Sequence, residues 1–324
     1  MAADATAARR DLPQLFAEEM GQLIGPDFPP HLSLAVSGGG DSMAMLFLAA
    51  PWARVMGIAL EVLTVHHHLR AGAEDEIALV SAAAQELGLP HRVLHWHWDG
   101  AGNLGEAARK GRYAALSAAA GEGGHIVVAH TQDDQAETFL MNLARGSGVD
   151  GLAAMSPLRR SGEVTLLRPL LGVTRDELRH FLKVLRIDYA DDPSNDDPAS
   201  TRIQMRQAAE SLAALGLTHA RLAGTATAMA RARHALEART LEAHEALVDR
   251  GPGEMLFDLS YARDGFDALD RETQLRLLAA AIRYVGLAPD RPRLATLEDA
   301  LDRALSGGAT TLHGCYLYPH RDRL

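Results

Sequence analysis

One cysteine, Cys315, stands in 324 residues. A lone thiol excludes an internal disulfide and any mechanism that needs two thiols in one chain, and it points to a cytoplasmic setting. Aromatic residues are scarce, at 5%, and the abundance of alanine points to helices instead. No apolar run approaches the roughly 20 residues of a membrane span, so no membrane partner is expected. The first residues have no apolar core of the signal-peptide kind and carry Asp4, Asp11, Glu18 and Glu19, so no targeting segment is expected. Basic residues are outnumbered 32 to 42 by acidic ones, for a formal net charge of −10. That argues against a generally basic nucleic-acid binder, although a local basic face remains compatible with it. Arginines do gather in the middle: Arg159, Arg160, Arg168, Arg175, Arg179, Arg186, Arg202 and Arg206. Two common phosphate motifs are also missing. There is no GxxxxGK[ST] and no GxGxxG.

What is there instead is Ser37-Gly38-Gly39-Gly40-Asp41-Ser42. The apolar run 32–36 before it reads as a buried strand, and 43–50 after it as a helix. Glycines at such a turn let backbone N–H groups approach a ligand, and the helix end favours an anion. Asp41 would repel phosphates unless a cation, most simply Mg²⁺, lies between. Read blandly, Asp41 is only a helix cap.

The chain alternates strands with helices up to about residue 150. Helices are expected over 12–24, 74–87, 104–120 and 132–145, and strands over 58–65, 91–96 and 125–129. This alternation predicts an α/β fold, a doubly wound and mainly parallel sheet, with ligands at the carboxyl ends of the strands. An extended segment is expected over 163–169. Thr174 and Glu177 form a capping-box pattern that opens another helix. From about residue 202 the chain reads as mostly helix. Two domains follow from length and pattern: a catalytic one over 1–215 and a smaller, mainly helical one over 216–324.

A second constellation is His130-Thr131-Gln132-Asp133-Asp134-Gln135-Ala136-Glu137. Asp133 and Asp134 lie four and three residues before Glu137, so the acids crowd the first turns of one helix. Acids at a helix N-terminus are ordinarily favourable, which is the plain alternative. The functional reading is a site for Mg²⁺ or for the ammonium of an amino substrate, with His130 taking or giving a proton. Arg109 and Arg112 share a helix face, where Glu106 offers an ordinary ion-pair partner. Arg202 and Arg206 are four apart and suit a phosphate. His66, His67 and His68, with His95 and His97, bring zinc to mind. Consecutive histidines do not share one direction and no cysteine is near, so zinc is set aside.

In this order and spacing, SGGGDS, HHHLR, GNLGEAARKGRY, AHTQDDQAET, LARGSGVDGLAAM, LLRPLLGVTRDEL and DDPSNDDPASTRIQMR resemble the tRNA(Ile)-lysidine synthetases, over about 35–210. These belong to the PP-loop ATP pyrophosphatases. The resemblance implies a ligase that activates carbon 2 of the wobble cytidine with ATP and then joins it to the lysine ε-amine, releasing AMP. The CAU anticodon of tRNA(Ile) then reads AUA. It implies that Ser37, Gly38, Gly39, Gly40, Asp41 and Ser42 bind ATP and Mg²⁺, with Val65 and His66 by the adenine and Asp133 as a second metal ligand. Arg109, Arg112, His130, Asp133, Asp134 and Glu137 would line the reaction centre, Asp134 and Glu137 taking the L-lysine ammonium. Arg145, Arg202 and Arg206 would serve phosphate or tRNA. A homodimer is allowed. The chain departs from the family's VDHGLR pattern at His66 and His68, and from its RNxIR pattern at Gln204. Residues 314–324 resemble the start of a further C-terminal module. Competing readings are a tRNA thiolase, which needs more thiols, a small-molecule amide synthetase, and a non-enzymatic ATP- or RNA-binding module.

Overall fold

The computed structural model describes residues 10–69, 72–190, 201–249, 260–287, 292–321 and 323–324, with the side chains of 201–203, 210 and 249 excepted. It divides into two compact units, Met1–Ala230 and Arg231–Leu324. The division falls at 230, inside a helix, where the sequence pattern suggested 215.

The first unit opens with α1 (Leu12–Ile24), capped by Asp11, whose carboxylate accepts the Gln14 N–H. Then come β1 (His31–Ala35), α2 (Gly40–Met56), β2 (Ala59–His66), α3 (Ala73–Glu86), β3 (His91–His95), α4 (Leu104–Ala120), β4 (His125–Val128) and α5 (Gln132–Ala144). A short α6 (Val149–Leu152) precedes the hairpin of β5 (Leu158–Ser161) and β6 (Val164–Leu167). Helices α7 (Arg175–Leu185), α8 (Thr201–Gln207), α9 (Ala209–Ala214) and the long α10 (His219–Leu247) follow.

The sheet order is β3-β2-β1-β4-β6-β5. All neighbours are parallel except β5 and β6. The parallel doubly wound sheet is therefore as the alternation predicts. Its central strand β1 has β2 on one side and β4 on the other, so the order reverses there. That reversal opens a crevice at the carboxyl ends of β1 and β4, where such sheets bind ligands. Leu32, Leu34, Val62 and Val127 are fully buried, as expected for strands covered on both faces. Met43, Met45, Leu46 and Leu48 of α2 pack with Phe16 and Met20 of α1 and Leu178 and Leu182 of α7 in one core. Fully burying each such side chain contributes about 1.5–3 kcal/mol, so α2 is anchored along most of its length and its first turn is held still. The hairpin strand β5 has no apolar signal, since Arg159 and Arg160 occupy its middle, and it was not expected.

The second unit holds a core of Phe266, Leu275, Leu278, Ile282, Leu297 and Leu301. These come from α11 (Arg263–Asp267), α12 (Arg271–Val285) and α13 (Leu294–Leu305), which follow the short pair β7 (Val248–Asp249) and β8 (Ser260–Tyr261). A final hairpin, β9 (Thr310–Leu312) with β10 (Cys315–Leu317), packs Cys315 into the same core, and Leu324 joins it. Among the described residues no helix is long and apolar enough to cross a membrane.

Candidate active site

The glycine loop lies between β1 and α2, and its glycines are dictated by crowding. Gly38 has φ +92°, and a Cβ there would lie 3.2 Å from Glu76. A Cβ on Gly40 would lie 3.2 Å from the Tyr189 ring. The Ala190 N–H donates to the Gly38 carbonyl at 2.9 Å, tying the loop to the chain after α7. Ser42 is buried. Its hydroxyl donates to the Gly39 carbonyl at 2.9 Å and accepts the Ser37 N–H at 3.1 Å. Expected as a phosphate donor, Ser42 here spends its proton on the loop's own shape. Gly39 caps α2 without a side-chain acceptor, so the first N–H groups of α2 have no cap of that kind competing with an anion.

Four carboxylates meet beside this loop. Asp41 comes from the first turn of α2, and Asp133, Asp134 and Glu137 from α5. Asp134 both caps its helix and reaches into the cluster. Its Oδ2 closes the capping box, accepting the Thr131 N–H at 2.9 Å and the Thr131 hydroxyl at 3.0 Å. Its Oδ1 accepts from Arg175. The Arg175 guanidinium also donates to Glu137 Oε1 at 2.9 Å and to Asp41 Oδ2 at 3.3 Å, while its backbone N–H donates to Asp133 Oδ2 at 2.9 Å. One side chain thus joins the glycine loop to the acids of α5. It is aimed by the start of α7, where Thr174 and Glu177 form their own capping box. Arg10 holds Glu177 in turn, its Nε donating to Glu177 Oε1 at 2.7 Å.

Two further groups close the cluster. Arg206 Nε donates to Glu137 Oε1 at 2.6 Å. His219 Nδ1 lies 3.0 Å from Asp133 Oδ1. Arg206 was expected on an RNA-facing surface. The structure instead turns it inward onto Glu137, because α8 packs on α5. The four carboxylates face two guanidinium groups, which leaves a formal charge of −2. Burial raises the Asp41 pKa to about 6; Arg175 opposes the rise, and Asp134 and Asp133 add to it. Burial also works against the Arg175 charge, but Asp134, Glu137 and Asp41 outweigh it and hold its pKa above the ordinary value. An oxygen-rich pocket with two negative charges to spare fits a hard divalent cation such as Mg²⁺.

His130 follows β4 directly and has a different character. Arg168, itself buried, donates through Nε to His130 Nδ1 at 3.2 Å and through Nη1 to the Ser156 carbonyl at 2.7 Å. Burial lowers the His130 pKa to about 3; Asp134 opposes the fall, while Arg168, Arg112 and Arg109 deepen it. The imidazole is therefore neutral, with Nδ1 accepting and Nε2 carrying the proton. It can donate a hydrogen bond, and it takes up a proton less readily than a free imidazole. Arg109 and Arg112 of α4 both lie over the Tyr113 ring, at 5.2 and 5.3 Å, and their charges are felt at His130.

Other expected residues are placed elsewhere. Val65 and His66 do end β2, but His66 is buried and contacts His68 rather than an open groove. Arg145 caps the far end of α5, eight residues past Glu137 and so about 12 Å along the axis. The Arg202 side chain and residues 191–200 lie outside the described residues. Arg175, His219 and Arg168 carry geometry that the sequence reading did not assign. For Arg175 a signal existed, since it follows a capping Thr at the entrance of a helix.

The fold and this site define a PP-loop ATP-binding domain, and a family model described as a PP-loop domain matches residues 12–211. Curated relatives give the narrower class. The tRNA(Ile)-lysidine synthase of Ruegeria pomeroyi is 43% identical over 89% of this chain and 69% of its own length. That of Bradyrhizobium diazoefficiens is 43% identical over 92% of this chain and 84% of its own. The chain belongs to the tRNA(Ile)-lysidine synthase family. Among solved structures, a U34-tRNA thiolase of Methanococcus maripaludis with its [4Fe-4S] cluster shares the fold. Its TM-score is 0.56 at 18% identity, over 67% of this chain and 78% of that one.

Proposed function

We propose that this chain joins lysine to carbon 2 of the wobble cytidine of tRNA(Ile) in two steps, at the cluster just described. In the first, the cytidine is adenylated by ATP and diphosphate leaves. In the second, the lysine ε-amine attacks the activated carbon and AMP leaves. The observation that carries this reading is the span of Arg175, whose one guanidinium reaches Asp41 of the phosphate loop and both Asp134 and Glu137. A phosphate site and an amine site are therefore within one side chain's length, as a shared intermediate requires.

The glycine loop and the start of α2 bind the ATP phosphates through backbone N–H groups. Asp41 and Asp133 would hold Mg²⁺, whose chemistry there is to neutralise charge on the departing diphosphate. Asp134 and Glu137 grip the lysine ammonium with charge-assisted hydrogen bonds and receive its proton as the amine attacks. The neutral His130 donates from Nε2 to the base or to the adenylate and does not shuttle protons. Arg109 and Arg112, at the rim, with Arg145 and Arg202, contact tRNA phosphates. Such contacts make RNA binding salt-dependent on a protein of net charge −10. A thiolase reading fails on chemistry, because the only cysteine is Cys315 and it is buried in the second unit. The reaction needs no membrane, and a cytoplasmic location suits it.

Incubating the purified chain with ATP, radiolabelled lysine and tRNA(Ile) tests the reading. Label should enter the RNA only when ATP is present. An active, ATP-cleaving preparation that leaves the RNA unlabelled would refute it.

A further inference from the structure

Strands β2 and β3 run parallel with His66 directly opposite His95. His66 ends β2 and His95 ends β3, and just past these ends the His68 ring contacts the rings of His66, His95 and His97. His67 turns the other way, its ring 5.5 Å from that of Trp96. Three consecutive histidines need not point together for a site to form: His67 turns away, and the left-handed backbone at His68 leaves its ring beside that of His66.

The outcome is a tight cluster of ring nitrogens. His68 Nε2 lies 3.1 Å from His66 Nδ1 and 2.9 Å from His95 Nδ1. All three nitrogens lie within 4.8 Å of one another. The His68 nitrogen has either one proton or one lone pair, yet it faces two partners. A single cation accepting a lone pair from each ring resolves that conflict. In a tetrahedral zinc site, Zn–N bonds of about 2.0–2.1 Å place neighbouring nitrogens about 3.3 Å apart, close to the two distances from His68. The backbone also contributes. His68 has φ +54°, a left-handed conformation that a β-carbon disfavours, and this turns its ring back over the end of β2. The His97 ring stacks on His68 at 4.2 Å, fixing the plane of that ring. On the outer nitrogen of His66, Glu74 Oε1 lies at 3.8 Å. That gap is beyond hydrogen-bond reach, and among the described residues the buried Nε2 has no hydrogen-bond partner.

We propose that His66, His68 and His95 form a binding site for a late first-row divalent cation, zinc before others, with water in a fourth position. Imidazole donors suit such ions, in contrast to the carboxylate pocket that suits Mg²⁺. The ion would tie the turn after β2 to the end of β3, bracing the sheet edge next to the strand that carries the phosphate loop. The site is separate from the carboxylate cluster, so its test does not depend on ligase activity.

The test uses the full chain without a histidine tag, stripped by a chelator and dialysed against Zn²⁺. Elemental analysis should find about one zinc per chain, and Co²⁺ in its place should give the intense visible bands of a tetrahedral site. His68→Gly suits the left-handed backbone and keeps the fold, as judged by circular dichroism. It should weaken zinc binding by more than about a hundredfold. His95→Gln, at an exposed position, should do the same and decides the matter if the first variant misfolds. His97→Gln should retain stoichiometric zinc. Absence of zinc in the wild-type chain, or zinc binding as tight as wild type in folded His68→Gly or in His95→Gln, overturns the proposal.

Discussion

Replacing Asp41 by Asn should make the ligand-free protein more stable while ending its chemistry. Asp41 ionises near 3.8 in an unfolded chain and near 6 in the fold, because it is held mostly out of water beside Asp134 and Asp133. The difference amounts to about 3 kcal/mol at about 1.4 kcal/mol per pH unit. The sign follows from proton counting. Between pH 3.8 and 6 the folded protein binds more protons than the unfolded one, so this group's contribution falls as pH rises through that window. Above it, the cost of the buried charge is fully present. Asn removes the charge, so the variant should gain up to about 3 kcal/mol at pH 7.5 and little near pH 4. Urea denaturation at several pH values measures this directly, with the midpoint moving and the slope constant. The same preparation should release no diphosphate from ATP in the presence of tRNA. A variant no more stable than wild type at pH 7.5, or one whose gain is the same at pH 4, would show that Asp41 carries no such burden. Diphosphate release at the wild-type rate would remove it from the ATP site.

Glu137→Gln should raise the lysine concentration needed for half-maximal rate by about 10- to 100-fold, the worth of a charge-assisted hydrogen bond, and adenylated tRNA should accumulate; unchanged lysine dependence makes Glu137 only a structural acid. Thr174→Ala removes the cap that aims Arg175 and should cost about 1 kcal/mol of stability together with a loss of ligase rate that Thr174→Ser restores. Arg175→Ala leaves Arg206 as the one guanidinium on these carboxylates among the described residues, so its loss of melting temperature should be much larger at pH 8 than at pH 5; an equal loss at both would mean that packing, not charge, is what Arg175 supplies. Arg202→Glu should weaken tRNA binding and flatten its salt dependence in filter-binding assays while ATP binding persists; an unchanged salt slope sends the search to Arg109, Arg112 and Arg145.

The parallel part of the sheet was legible because each of its strands announces itself locally, as β5 does not. Strand β1 is a short apolar run, α4 begins at its Asn103 cap, and α1 ends at Gly25. The first-turn acids of α5 were legible for the same reason. Arg175 was not. It lies 134 residues from Asp41 and 38 from Glu137 in sequence, and only the docking of α7 on α2 brings them together. His219 is hidden in the same way, 86 residues from Asp133. Arg206 was read by its spacing to Arg202, a local feature, whereas its partner is set by the packing of α8 against α5. The histidine ladder was dismissed on the directions of consecutive residues. Its geometry depends on the register between β2 and β3, which one strand's sequence does not contain.

Arg175 has one more consequence. Any amine that settles between Asp134 and Glu137 must displace a cation that is already tethered there by the chain itself. A tethered group competes at an effective concentration in the millimolar range, so an amine proposed to bind there would have to compete with Arg175. Free guanidinium or arginine at lower concentrations adds little to that internal competition. The apparent affinity for an incoming amine is lowered by the fraction of time Arg175 stays in place, and loosening α7 would tighten amine binding even as it disorders the site.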